Sequence, residues 1–453
     1  MNEDKNKKMN FFTIFKEGDW ITRLSYLIMG SGSFLRKQYV KGFIYLAAQI
    51  AYLYYLIVLG ITQLTGLATL GINEQGQIFD QKQQIYIYSQ GDNSMLFLIF
   101  GVMSLLMLVG YVTLYYSNIK SAFNNQKMIE DGESLPTIKE EIKALTNERF
   151  HVTVLTIPTV MTTVLTILPL IFMILIAFTN FNKNHQPPGS LFTWVGLSNF
   201  KSLLYANPIL SSTFFNILKW TLVWAFFATF LNYMFGMLLA MIINKKGIKL
   251  KKMWRTIFII SVAVPQFVSL MLMSQLLHDL GPVNTFLQNA GIIAEPIGFL
   301  SNPNIVKYTV IVVNLWVGIP YTMLITSGIL MNIPQDMYES AKLDGAGKFT
   351  QFMKITLPYM LAVTTPYLIT QFIGNINNFN VIYLLTGGGP LSLDYFQAGH
   401  TDLLVTWLYK LTLTEKNYAL ASTIGIIIFV ISATLSLVVF RKFTQDDKEA
   451  TFQ

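Results

Sequence analysis

The sequence predicts an all-α polytopic membrane protein with about eight transmembrane helices. Three observations carry that prediction. Of 453 residues, 53% are hydrophobic and only 12% charged, where a soluble domain has roughly a quarter of its residues charged. The apolar residues are gathered into runs of about twenty or more, the length an α-helix needs to cross about 30 Å of hydrocarbon. The basic residues fall between those runs, as at Lys245, Lys246, Lys249, Lys251, Lys252 and Arg255, so the net charge of +8 reads as positive-inside topology rather than as a nucleic-acid surface. The chain has no cysteine, which excludes thiol catalysis, disulfides and thiolate metal sites.

Residues 1–39 form a cytoplasmic or interfacial segment. Lys5, Lys7 and Lys8 precede no apolar stretch with a small-residue cleavage site, so the first apolar run is expected to direct insertion. Residues 20–34 are apolar but interrupted by Gly30-Ser31-Gly32-Ser33, which suggests an interfacial helix, with a re-entrant segment as the alternative. Spans at 40–62 and 93–117 make up a two-helix segment, 40–117. Their connection, 63–92, is rich in Gln, Gly and Tyr and suggests a small extended cap outside the membrane. Residues 118–152 mix Glu130, Asp131, Glu133, Glu140 and Glu141 with Lys139, Lys143 and Arg149, a solvated cytoplasmic linker with some helix. Six further spans, at 153–178, 213–242, 254–278, 307–331, 359–386 and 417–440, make a core at 153–442, followed by a cytoplasmic tail at 443–453. With the Lys-rich 243–255 connection in the cytoplasm, alternation puts both termini inside, in agreement with Lys5, Lys7, Lys8, Arg441, Lys442 and Lys448.

A transporter needs a source of free energy. A proton- or sodium-coupled carrier shows it as an acid inside a span, where such a group is costly to keep, yet the centres of these spans hold no Asp or Glu. Lys219 lies near the end of its span, where its stem can snorkel. ATP hydrolysis would need a loop of the form G-x-x-x-x-G-K-[ST] after a strand. Gly345-Ala346-Gly347-Lys348-Phe349-Thr350 comes nearest, but Lys342 stands where the first Gly belongs and Phe349 where Ser or Thr should follow Lys. No catalytic residue and no cofactor is therefore assigned to this chain. A hydrolase driving it must be another chain, docked on a cytoplasmic loop.

The longest candidate dock is 332–358. Pro334 followed by Asp336 suits a helix start, and Gly345 and Gly347 suit its end. A short helix with small residues Ser340 and Ala341 between Glu339 and Asp344 can sit closely in a partner's groove while its acids pair with basic groups there; a plain surface turn is the equal alternative. Glu339-Ser340-Ala341, then Gly345, Ile355 and Leu357-Pro358 resemble the EAA signature of membrane subunits of bacterial binding-protein-dependent ABC importers, with Ser340 in place of the family's middle Ala. The resemblance continues in 194–200 (Trp-Val-Gly-Leu-Ser-Asn-Phe), in Val264-Pro265, in Asn377-Asn378-Phe379 and in Gly387-Gly388-Gly389-Pro390. Two spans ahead of a six-span core are similar to the MalF-type subunits of maltose and maltodextrin importers.

That resemblance implies a type I importer permease core plus two N-terminal helices, with 332–358 as the coupling region. The partners it implies are a second EAA-bearing, MalG-like permease subunit, two copies of a nucleotide-binding ATPase that hold ATP and Mg, an extracytoplasmic sugar-binding lipoprotein and the lipid of the bacterial plasma membrane. Docking to the ATPase falls on Glu339, Ser340, Ala341, Asp344 and Gly345.

The substrate is read from polar positions inside the spans. Gln371, Asn375 and Asn378 stand at i, i+4 and i+7, one side of a continuous helix, with Gly374 and Tyr367 adjoining. Neutral amides donate and accept, as sugar hydroxyls do, and carry no charge to desolvate. The sixth span repeats the idea with Asn314, Gly318 and Tyr321, and Pro320 could kink it to widen the space. Hydrogen bonding between helices explains the same residues equally well. The family resemblance implies sugar contacts at 262–266, 317–321 and 371–379. Gly318, Tyr321, Asn375 and Asn378 retain the family's residue type. Gln371 replaces a small hydroxyl residue, Gly374 an aromatic, and Val262 and Gln266 a Tyr and a Ser. The expected substrate-binding residues are thus Gly318, Tyr321, Gln371, Gly374, Asn375, Asn378 and Gln266, around a related but reshaped cavity. The expected cargo is an oligosaccharide, maltodextrin ahead of a galactose-containing chain.

The 63–92 loop is much shorter than the external domain of some MalF proteins. Contacts with a binding protein then fall to loops such as 387–416, with Phe396, His400, Asp402 and Trp407, unless that loop merely caps the bundle. His400 has no nearby second ligand, so no metal site is assigned. The rival from another class is a polytopic glycosyl transferase using Asp336, Glu339 and Asp344; a passive sugar channel is a third reading.

Overall fold

The computed structural model describes residues 11–80, 84–148, 150–245 and 247–450. Lys5, Lys7, Lys8, Arg149 and Lys246 lie outside them. The chain divides into two compact units, Met1–Gly196 and Leu197–Gln453.

In the first unit, 20–34 is not one helix. After α1 (Phe11–Glu17) come two short ones, α2 (Trp20–Leu24) and α3 (Ser31–Phe34). Gly30 breaks the run with φ +84, a conformation open to glycine. Asp19 caps α2 through the Thr22 amide at 2.7 Å and pairs with the buried Arg36 at 2.8 Å. The first membrane-length helix, Tyr39–Thr69, is α4 (Tyr39–Tyr55) continued through a π-turn at Leu56–Gly60 into α5 (Ile61–Thr69). The expected extended cap follows as an antiparallel hairpin of β1 (Gly76–Asp80) and β2 (Ile85–Ser89). Helix α6 (Ser94–Glu130) starts at Asn93, whose carboxamide accepts from the Met95 and Leu96 amides at 3.1 and 3.2 Å.

Hydropathy ends this helix near 117, but its backbone runs on to Glu130. It stops only where Gly132, at φ +75, closes a Schellman motif: the Gly132 and Glu133 amides donate to the Ile129 and Met128 carbonyls at 3.1 and 2.7 Å. In the linker, α7 (Ile138–Thr146) opens with a Thr137/Glu140 capping box. Helices α8 (Phe150–Thr162) and α9 (Leu168–Ile176), joined by a π-turn, form the third membrane-length helix. Trp194 then donates its indole N–H to the Leu67 carbonyl at 3.1 Å, tying the 177–196 segment to the end of α5.

The second unit begins with α10 (Ser198–Lys201) and a π-turn leading into α11 (Pro208–Asn244). Pro208 enters the first turn, where no N–H is needed, and Asn207 accepts from the Leu210 amide at 3.1 Å. The next expected span, 254–278, is two helices, α12 (Lys251–Ala263) and α13 (Gln266–Leu276). Pro265 has no N–H to donate and forces Val264 into extended geometry at ψ 127. Helix α14 (Pro282–Asn289) is short, and α15 (Val306–Leu330) runs through Pro320 without interruption. Residues 332–358 hold α16 (Gln335–Leu343) and α17 (Lys348–Gln351). The seventh expected span is again two helices, α18 (Leu357–Ile376) and α19 (Phe379–Thr386), parted at Asn377-Asn378. Finally α20 (Leu404–Leu413) precedes α21 (Tyr418–Ala450).

Among the described residues, six helices are thus long and apolar enough to cross a membrane, and two of the eight expected spans are interrupted. The core lies on α11 and α15, each with 39% of its most apolar window buried within the chain, against 6% for Phe150–Ile176. They pack closely because Gly236 lets the Thr322 side chain and the Met323 backbone approach. The basic connection also helps here: Lys251 donates to the last carbonyl region of α11 at Asn244 O, 2.9 Å away, and Arg255 reaches the Asn244 carboxamide.

Candidate functional site

Helices α11, α15 and α18 enclose a cavity of about 50 Å³. Its wall is Ala228, Thr229, Asn232 and Tyr233 from α11, Gly318, Tyr321 and Thr322 from α15, and Tyr367, Leu368 and Gln371 from α18. Each triplet or quartet recurs at three- and four-residue steps, so one face of each helix is turned inward. The lining is uncharged: two amides, two threonine hydroxyls and three phenols can donate and accept, and no carboxylate or ammonium is present. A water needs ~10–15 Å³ of such space, so the cavity of this chain alone admits a few waters and no sugar ring.

Three of the seven expected substrate residues, Gly318, Tyr321 and Gln371, line this wall. Asn375 does not. It is buried, its Nδ2 donates to Thr229 Oγ1 at 3.0 Å, and its Oδ1 accepts from Asn378 Nδ2 at 3.2 Å. Asn378 in turn caps α19, accepting from the Val381 amide at 3.3 Å. The i, i+4, i+7 face thus needs correction: α18 ends at Ile376, so Gln371 and Asn378 belong to different helices, and the two asparagines hold the break together. Amides favour such breaks because their side chains satisfy the amides exposed at a helix end. Gly374 and Gln266 are exposed, Gln266 opening α13 just after the Pro265 break. Asn314, one turn from Gly318, is buried with its Nδ2 unpartnered among the described residues. Sequence reading missed Thr229, Asn232 and Tyr233. Their signal was available as a polar triplet at i, i+3 and i+4 deep in an otherwise apolar run.

Residues 332–358 present the other candidate surface. No residue of α16 is buried, and Leu343 at its end is 89% exposed. Glu339, Ser340 and Asp344 are exposed and Ala341 half-buried. The helix ends in a Schellman motif: Gly345, at φ +77, donates to the Lys342 carbonyl at 3.0 Å, and Ala346 to the Ala341 carbonyl at 2.8 Å. This explains the spacing of Gly345 from Ala341 physically, since the left-handed position after the cap suits glycine. Tyr338 anchors the loop to the start of α18 through Thr356 at 2.8 Å, and Gln351 donates to the Ala346 carbonyl at 2.9 Å. The segment that mimicked a phosphate loop is this helix cap and the short α17.

Residues 232–445 match the model of a family described as the binding-protein-dependent transport system inner membrane component. Over 434 residues the chain is 36% identical to the maltodextrin transport system permease protein MalC of Streptococcus pneumoniae, covering 93% of this chain and 95% of that protein. The chain belongs to the inner-membrane components of binding-protein-dependent transport systems. The permease is also 34% identical over 426 residues to the galactooligosaccharides transport system permease protein GanP of Bacillus subtilis, covering 94% and 97% of the two. Its fold matches, with a TM-score of 0.55 at 22% identity, a chain of a bacterial ABC transporter involved in the import of the acidic polysaccharide alginate, over 67% of this chain and 98% of that one. By its family and its permease relatives it is a multi-pass membrane component of an importer, and the likeness to the alginate transporter shows the fold. The glycosyl-transferase and passive-channel readings fall with that assignment.

Proposed function

We propose that this permease carries a neutral oligosaccharide, a maltodextrin, into the cytoplasm as one half of a heterodimer. The observation that carries the reading is the cavity between α11, α15 and α18: uncharged, rich in groups that both donate and accept, and lined by Tyr321 and Tyr367. Its small volume is what half a site should show, with the other wall supplied by a second, similar permease subunit. Gly318, Tyr321 and Gln371 contact the sugar, while Asn375 and Asn378 position Gln371 by fixing the end of α18. Gln266 and Gly374, both exposed, meet the sugar only where the second subunit closes over them. A galacto-oligosaccharide is the second reading, favoured by the relative from Bacillus subtilis.

Energy enters at 332–358. Two copies of an ATPase subunit, holding ATP and Mg, dock on the exposed α16, where Glu339 and Asp344 meet basic residues of the ATPase groove and Ser340 and Ala341 allow close approach. ATP-driven closure switches the cavity between inward- and outward-facing states. An extracytoplasmic binding lipoprotein delivers the sugar to the opposite side, where the 387–416 loop lies. Both termini and 243–255 face the cytoplasm of a bacterial cell, and 20–34 lies at the membrane interface. Uptake of a panel of maltodextrins and galactosides by cells expressing the complete system tests the reading. Maltodextrin uptake that is lost in Tyr321→Leu and Gln371→Leu, with the complex still assembled, is expected; undiminished uptake in both variants removes the cavity from the pathway.

A further inference from the structure

We propose that Asn232, on α11, is a specificity-determining residue whose Oδ1 accepts a hydrogen bond from one hydroxyl of the transported sugar. The inference rests on the reading of the cavity just given and adds a residue that no expectation assigned. Three observations converge on it. Asn232 lines the cavity together with Gly318, Tyr321 and Gln371. Its Nδ2 donates to the Ala228 carbonyl, four residues back, at 2.7 Å. Its Oδ1 is buried and has no partner among the described residues.

These facts fix the amide's orientation. A carbonyl can only accept, so the nitrogen must face Ala228 and the oxygen must face away from it. A buried acceptor left unmet is costly, and such groups in native structures have a reason, a ligand or a water being the usual ones. Here the free oxygen belongs to a residue of the cavity wall but is itself closed off from the cavity, so a sugar hydroxyl meets it when the wall parts during transport, and a hydroxyl donor is what it lacks.

Gly318 makes the arrangement possible. A methyl group on it would collide with the whole Asn232 carboxamide, Nδ2 nearest, with Cγ and Oδ1 at 2.6 and 2.7 Å, closer than real contacts allow. The absent side chain at 318 leaves room for this carboxamide, and so Gly318 acts on the sugar through Asn232 as well as by its own position. The Asn232 acceptor selects for a hydroxyl at one place on the sugar, because an analogue without that hydroxyl leaves the oxygen buried and unpaired.

The test measures uptake by the intact transporter, normalised to assembled complex in the membrane, for maltotriose and for maltotrioses each lacking one hydroxyl. Asn232→Leu is expected to raise the maltotriose KM roughly three- to tenfold. One deoxy analogue should be transported poorly by the wild type and equally poorly by the variant, since the hydroxyl and its acceptor are lost only once. Where the leucine variant fails to assemble, Asn232→Ala, which removes the acceptor without adding bulk, gives the same comparison: a penalty confined to one analogue supports the proposal and an even one overturns it. Gly318→Ala should impair uptake on its own and add little to Asn232→Ala. A penalty spread evenly over every analogue, or full additivity of the two substitutions, overturns the proposal and makes Asn232 a packing group. If Tyr321→Leu and Gln371→Leu also leave uptake unchanged, the cavity reading itself has failed; if they abolish it while Asn232→Leu does not, only the present inference has.

Discussion

At the residue scale, the amides of α18 and α19 divide by what they touch. Gln371 lines the cavity, whereas Asn375 spends both ends of its carboxamide on Thr229 and Asn378. Asn375→Ala should lower the stability of the purified complex by about 1–3 kcal/mol, because Thr229 and Asn378 lose their partner in a buried setting. Thermal unfolding of the assembled complex measures this, and an unchanged midpoint combined with lost uptake would make Asn375 a sugar ligand. Gly345 gives a second residue-scale prediction. Its surroundings are open, so Gly345→Ala meets no clash, yet φ +77 strains any side chain by about 1–2 kcal/mol. The variant should retain less ATPase on purification, whereas Gly347→Ala, at φ −67, should behave as wild type.

At the element scale, the 387–403 loop is held by a buried charge. Asp402 is wholly buried; it accepts from the Gly399 amide at 2.7 Å and Thr406 Oγ1 at 2.9 Å and pairs with Lys410 Nζ at 2.6 Å. Burial pushes its carboxyl above the usual carboxylate range, and Lys410 pulls the other way. Removing one member of such a pair strands the other and costs about 3–5 kcal/mol. Lys410→Met should therefore loosen the loop, read as faster proteolysis within 387–403. The double substitution Lys410→Met with Asp402→Asn should recover much of the loss, and equal sensitivity of the single and double variants would refute the account. The interrupted helices belong to this scale too. Pro265 made one break legible, since it bars the helix at Val264, but Asn377-Asn378 carries no such mark. There the break depends on Asn378 capping α19, a choice open only once the partners around it are in place.

At the scale of the whole molecule, the chain is a membrane component of a transport system. The reading of 332–358 as the dock predicts that Glu339→Lys, which reverses an exposed charge, uncouples the complex: sugar-stimulated ATP hydrolysis should fall at least tenfold with the permease still in the membrane. Wild-type coupling in that variant would sink the docking assignment. How much was legible follows from the range of the interactions. The membrane class, the long helices and the exposed helix α16 with its Gly345 cap are written in contiguous residues, as apolar runs or as a motif within one turn. Sequence therefore determined them by itself, along with the absence of a phosphate loop and of acids at the span centres. The tertiary structure alone decided which polar groups face the cavity. Asn375 bonds to Thr229 across 146 positions of the chain, and Asn232 sits where it does because Gly318 leaves it room. An amide's spacing along a helix says which side it is on, but its partner comes from another helix, and the partner determines whether it binds a sugar or a neighbour.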